Sequence, residues 1–106
     1  MTADPKRGPR VRNPDLMRAM HTEHRECCLC GRTNRLELHH VLPRGRGGDD
    51  VRSNLVWLCA EQHGRITSND AATRLLLRRH LEARRPDTLS YLNRKMGDGW
   101  LQRTHG

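Results

Sequence analysis

The stretch that decides the fold is "LELHHVLPRGRGGDD", Leu36 to Asp50. Leu36 and Leu38 alternate with polar residues, and with Val41 close behind they suggest a strand. His39 and His40 fall near the end of that strand, because Pro43 cannot continue a ladder. Gly45, Gly47 and Gly48 then make a turn-rich loop that ends in Asp49 and Asp50. Adjacent strand residues point to opposite faces, so two neighbouring histidines can do different jobs only where the strand twists or ends.

Working outward, Leu55 to Leu58 reads as a second short strand ending at Cys59. A helix is expected from about Ala60, with Gln62 and His63 in its first turn. Upstream, Cys27 to Arg35 reads as a knuckle or turn. Asn13-Pro14 looks like a helix cap followed by proline in the first turn, opening a helix over 14–24. Downstream, Asn69 or Asp70 caps a helix over about 71–84, which Pro86 ends. Asp87 or Thr88 caps a last helix over 88–96 that stops at Gly97. Trp100 and Leu101 are expected to fold back as an anchor. The expected architecture is α+β: a small strand–strand–helix core over about 27–70 with helices on either side. Residues 1–13 form a flexible basic arm and 14–106 a single domain, with C-terminal helices from about 71 to 106.

Composition narrows the function. Of 106 residues 34% are hydrophobic, and there is no Phe. Such a chain has a small core, built on Leu, Val, Trp57, Tyr91 and Trp100, and domains of this size commonly need a metal or disulfide staple. No segment has the ~18 apolar residues of a membrane span, and the first residues lack a secretory h-region. A cytoplasmic location is therefore expected, where four cysteines serve as metal ligands or free thiols rather than disulfides. The formal charge is +8, and all but two of the twenty Lys and Arg residues are Arg. Guanidinium groups grip phosphate oxygens bidentately, so the expected partner is a nucleic acid.

Two clusters carry chemistry. In the first, Cys27-x-x-Cys30-Gly31 is joined by Cys59. A Cys-x-x-Cys turn sets two thiolates on one side of a tight loop, which suits tetrahedral zinc at ~2.3 Å. A redox pair is the rival reading, but that motif usually sits in a larger α/β unit. Cys28 is the spare thiol. The second cluster is His39, His40, Asn54 and His63. If hairpin and helix fold together, the strand bearing His39 lies beside the helix bearing His63. One imidazole can then ligate a metal with His63 while the other stays free as a base. Taken singly, each histidine reads as a surface residue; the full constellation does not.

From Cys27 to His63 the chain resembles the HNH endonuclease family, which is built on a ββα-metal core. The resemblance rests on "CLCG", "LELHHVLPRGRGGDD" and "SNLVWLCAEQH" in the family's order and covers about a third of the chain. The short basic chain is also similar to free-standing bacteriophage members. The resemblance implies that His39 and His63 ligate a catalytic divalent ion (Mg2+, Mn2+, Ni2+ or Zn2+). His40 is then the general base, and Asn54 orients the loop and the His40 backbone. Cys27, Cys30 and Cys59 belong to a structural zinc site. One departure stands out. Gln62 occupies the place where the family commonly has a fourth cysteine, so the fourth position falls to His24 or to water, or else the site has lost its zinc.

The implied reaction is metal-dependent hydrolysis of DNA phosphodiesters, leaving 5′-phosphate and 3′-hydroxyl ends. Arg44 and Arg46, on the glycine-rich loop, are expected to clamp phosphate. Asp49 and Asp50 could supply a metal ligand, but are expected rather to pair with arginines or cap the following turn. A main-chain carbonyl of the second strand is expected to orient the base imidazole. The alternative is a non-catalytic, zinc-stapled DNA-binding or adaptor module, which has no need of the histidine constellation. A third reading is an enzyme active only beside a partner in a phage packaging or recombination machine.

Overall fold

The computed structural model describes residues 9–106. A two-stranded antiparallel hairpin organises it: β1, Leu36–His40, pairs with β2, Leu55–Cys59. The register sets Leu36 opposite Cys59, His39 opposite Val56 and His40 opposite Leu55. The hairpin is preceded by α1 (Pro14–Met20) and followed by α2 (Ala60–Thr67), α3 (Ala71–Arg84), α4 (Pro86–Met96) and α5 (Trp100–Thr104). Helix α2 begins where β2 ends and packs on both strands, which gives the ββα core expected from the sequence. Among the described residues, no helix is long and apolar enough to cross a membrane.

Local chemistry explains the boundaries. The Asn13 side chain accepts the Leu16 N–H and caps α1, with Pro14 in the first turn; this helix ends at Met20, short of the expected 24. Of the two candidate caps for α3 it is Asp70 that acts, accepting from the Thr73 N–H and hydroxyl. Pro86 does end α3, but it also starts α4 two residues before the expected 88. Proline suits a first helical position because the N–H it lacks would have no partner there. Gly97, at φ 82°, stops α4.

The long loop between the strands is compact. A 3-10 turn over Arg44–Arg46 leads into Gly47, at φ 87°. At Gly48 a Cβ would stand 1.7 Å from the Leu42 carbonyl oxygen, so only glycine fits. Asn54 is fully buried at the loop's far end. It accepts the Leu42 N–H at 2.8 Å and donates to the carbonyls of Leu42 and Asp49, both at 3.1 Å. One amide thus ties both ends of the loop together.

The core gathers Val41, Leu42, Val56, Leu58, Ile66, Leu77, Leu81, Tyr91, Leu92, Trp100 and Leu101. Trp100 and Leu101 fold back as expected. Trp57 does not join them. It lies half-buried on the hairpin's outer face, edge-on to His21 at 4.9 Å and under the Arg25 guanidinium at 5.1 Å.

The expected basic arm over 1–13 lies partly outside the described residues. Its far end, Arg10 to Asn13, is not free. Val11 and Asn13 donate their peptide N–H groups to Asp49 and Asp50, and the Asp50 N–H returns to the Val11 carbonyl. The Arg10 guanidinium reaches the Gly48 carbonyl at 2.8 Å and Asp50 Oδ1 at 2.5 Å.

Candidate functional site

Strand alternation sends Glu37 and His39 to the face of β1 that meets α2. His63, in the first turns of α2, lies against them. The His39 and His63 rings are 5.1 Å apart, centroid to centroid, in an edge-on arrangement. His63 Nδ1 is hydrogen-bonded to Glu37 Oε1 at 2.6 Å, which leaves Nε2 with no protein partner among the described residues. His39 is 8% exposed, and its Nε2 is buried without a hydrogen-bond partner. Burial, reinforced by His63 and His105, lowers the His39 pKa to about 3. The ring is therefore a neutral imidazole, the form that can donate a lone pair. A buried imidazole nitrogen without a partner is costly. That buried nitrogen of His39, facing a partly exposed His63 ring anchored by a carboxylate, fits a divalent cation's needs.

His40, the last residue of β1, turns the other way. Its Nε2 lies 2.7 Å from Asp50 Oδ1. Burial alone would raise the Asp50 carboxyl, but the Asn13 N–H, His40 and Arg10 together hold it below the ordinary carboxylate range. Asp50 is therefore ionised and can only accept, so Nε2 of His40 carries the proton and Nδ1 presents its lone pair. Burial also lowers the His40 pKa, with the Arg44 and Arg10 charges adding to it against the pull of Asp50. The ring is neutral near pH 7. Its orienting partner is this carboxylate, not the expected main-chain carbonyl of the second strand. Asp50 thus pairs with an arginine as foreseen, but it also holds the histidine.

Two clefts flank the pair. On the His39 side a cavity of about 290 Å3 is lined by His39, Arg46, Thr67, Arg74, Trp100 and His105. His105, 3% exposed, closes it from the C-terminal end. There Arg74 donates to the Thr104 carbonyl at 2.7 Å and so clasps the last helix to α3. On the His40 side an open cleft of about 560 Å3 is lined by Arg10, Arg12, Arg44 and Asp50. Arg44 and Arg46 are both exposed and stand on different sides of the histidine pair. Asp49, in contrast, faces inward: Tyr91 donates its hydroxyl to Oδ2 at 2.7 Å, and Lys95 approaches the same atom at 2.9 Å.

The sulfur cluster is a separate centre at the other end of the hairpin. Cys27, Cys30 and Cys59 bring their sulfurs within 4.8 Å of one another, a spacing that could hold a metal ion. The knuckle is built by backbone hydrogen bonds: Cys27 N–H to the Arg32 carbonyl, Gly31 N–H to the Cys27 carbonyl, and Cys28 N–H to the Trp57 carbonyl of β2. Burial pushes the Cys27 thiol up, but the peptide N–H groups of Cys59, Leu29 and Cys30 outweigh it and bring the net shift down. Cys28 is outside the cluster, and burial beside Cys27 pushes its thiol up to about 12. Among the described residues, neither His24 nor any other His, Cys, Asp or Glu joins the three sulfurs. His24 lies instead beside Met20, Arg25 and Trp57.

A hairpin leading into a helix, two imidazoles facing across it, and a sulfur knuckle at its base are now in view. Residues 27–69 match the family model described as HNH endonuclease. This segment is an HNH domain. The match takes in the knuckle, both strands and α2, and so covers the three cysteines, the histidine and Asn54 constellation, Arg44 and Arg46. No curated protein and no solved structure matches the chain. The match points to nuclease-type chemistry. The residues that sequence reasoning missed are Glu37, His105 and Arg10, and it missed the bond that Asp50 makes to His40. Glu37 had a signal, since it stands two residues before His39 and shares its face of the strand.

Proposed function

We propose that the protein is a metal-dependent endonuclease that hydrolyses DNA phosphodiester bonds, with His40 as general base. The observation that carries this reading is the division of labour at the end of β1. His39 faces His63 with an unpartnered nitrogen, while His40 Nε2 is held at 2.7 Å by Asp50 Oδ1. Hydrolysis needs a proton acceptor for water, neutralisation of charge gathering on the phosphate, and help for the departing alkoxide. His40 Nδ1 meets the first need by taking the proton, and Asp50 stabilises the imidazolium that forms. His39 and His63 are the residues that would hold the divalent ion, and Asn54 would fix the loop that carries the base. When bound, such an ion supplies Lewis-acid stabilisation of phosphate and leaving oxygen. Arg44 sits on the His40 side and Arg46 on the His39 side, where each would grip a phosphate.

Cys27, Cys30 and Cys59 would hold a structural zinc. The phosphate contacts of Arg44 and Arg46 would position a DNA backbone without reading its sequence, so weak sequence preference and steep salt dependence are expected. Incubation of supercoiled plasmid with Mg2+, Mn2+, Ni2+ or Zn2+, against EDTA, tests the reading. Conversion to nicked or linear DNA that requires metal and is lost in His39→Ala and His63→Ala is the expected result. Tight DNA binding with no conversion under any metal would point to the non-catalytic module.

A further inference from the structure

We infer that Gln62 is the fourth protein ligand of the sulfur centre, its side-chain oxygen completing a three-sulfur, one-oxygen site. The inference rests on the proposal that Cys27, Cys30 and Cys59 hold zinc. Three observations lead to it. First, the three sulfurs already lie within 4.8 Å of one another, and no other His, Cys, Asp or Glu of the described residues reaches them. Zinc in a structural site takes four ligands, so a place is left over. Second, Gln62 leaves the backbone at the edge of this triangle. Cys59 is the N-cap of α2, and its Sγ accepts the Gln62 N–H at 3.5 Å. Third, Gln62 Oε1 is out of contact with solvent and has no hydrogen-bond partner. A carbonyl oxygen buried in this way is destabilising unless something accepts its lone pair. Such orphans in a native structure commonly mark an ion or a water.

The chemistry of the donor set agrees. Three thiolates bring the zinc complex to a net charge of −1, and a neutral amide leaves it there, whereas a fourth thiolate would bring it to −2. Cys27 and Cys59 are part of the buried apolar core, and the half-buried Cys28, Leu29 and Leu36 pack against it. A less charged complex is easier to place there. An amide oxygen is also the weakest of the four donors beside thiolates. The fourth position is therefore the one that opens first, and the metal should leave by that route.

The test uses the full chain loaded with 113Cd2+ for NMR and with Zn2+ for release to a chelator, in the wild type, Gln62→Leu, Gln62→Cys and Cys59→Ala. In Gln62→Leu the cadmium resonance should move and zinc should leave faster. The expected acceleration is at least the ~10-fold that loss of a supporting residue alone costs a metal site. In Gln62→Cys the resonance should move toward that of a four-sulfur site, and release should slow. A Gln62→Leu protein with unchanged resonance and release rate would overturn the inference and leave the three-sulfur zinc standing, with water in the fourth place. If Gln62→Leu does not fold, an unmoved resonance in Gln62→Cys overturns it equally. Wild-type protein that takes up no more metal than Cys59→Ala would overturn both the inference and the zinc proposal beneath it.

Discussion

The hairpin carries two clusters proposed to hold metal, one at each end, and they are built on opposite plans. At the base, three sulfurs are already drawn together, and peptide N–H groups hold the turn that carries them. At the tip, two imidazoles face each other but are not closed into a cage, and each ring beside the cleft is fixed by a carboxylate: His63 by Glu37 and His40 by Asp50. The first plan suits a staple, because the ligands are satisfied by the protein alone. The second suits catalysis, because positions are left for phosphate and water. Under the proposed function, this arrangement would separate stability from chemistry along a single hairpin.

The largest effect should come from breaking the staple. Cys59→Ala removes both a sulfur and the side-chain cap of α2. Its loss should take a large part of the ~5–15 kcal/mol that holds a domain together. Thermal denaturation with and without a chelator would show it: chelation should lower the wild-type melting temperature and leave the variant's unchanged. His63→Ala is the matched change at the other centre. Its side chain is a quarter exposed, so melting should move by less than about 1 kcal/mol while cleavage is lost. Equal melting losses in the two variants would erase the contrast.

A smaller effect is expected where the base is oriented. Asp50→Asn keeps the side chain's shape but removes the charge that sets the His40 tautomer. Cleavage should fall about 10- to 100-fold, with metal affinity unchanged. A parallel fall in metal affinity would mean that Asp50 serves the ion instead.

Below this lies the scaffold under the loop. Asp49 accepts from Val11 and Tyr91 and faces Lys95. Burial pushes its carboxyl up, but these partners hold it below the ordinary range overall. A depressed carboxylate contributes stability that is complete above the unfolded-chain pKa of about 3.9. That contribution is lost as pH falls through the lower folded value. Tyr91→Phe should cost about 1–3 kcal/mol at neutral pH and reduce the loss on acidification, because the native carboxyl then titrates nearer its ordinary value. Denaturant titrations at neutral and acidic pH would measure both.

The smallest effect should be seen at the loop arginines. Arg44→Ala and Arg46→Ala should each weaken DNA binding alike for all sequences and lower the salt slope by about 1.

Much of this fold was legible in the sequence. The alternation at Leu36 and Leu38 marks β1, and Asn13-Pro14 marks the start of α1, because both signals are local. Pro86 was read as a stop and proved a stop and a start together, since a proline that ends one helix is well placed to open the next. Trp57 was misread as core, because an aromatic on a short hairpin strand can face either way. In the site, the histidines and cysteines could be named from type and spacing. Their partners could not. Asp50 meets His40 across the loop, Arg10 reaches Asp50 from 40 residues away, and His105 arrives from the last helix. Such contacts depend on where the chain returns, and periodicity carries no information about that.

The most direct test of the account is plasmid cleavage by His40→Ala, with Mn2+ and DNA binding measured on the same preparation. The account predicts that cleavage falls by at least about 100-fold, the lower range for loss of a general base, while both bindings persist. Cleavage at the wild-type rate by that variant would contradict it.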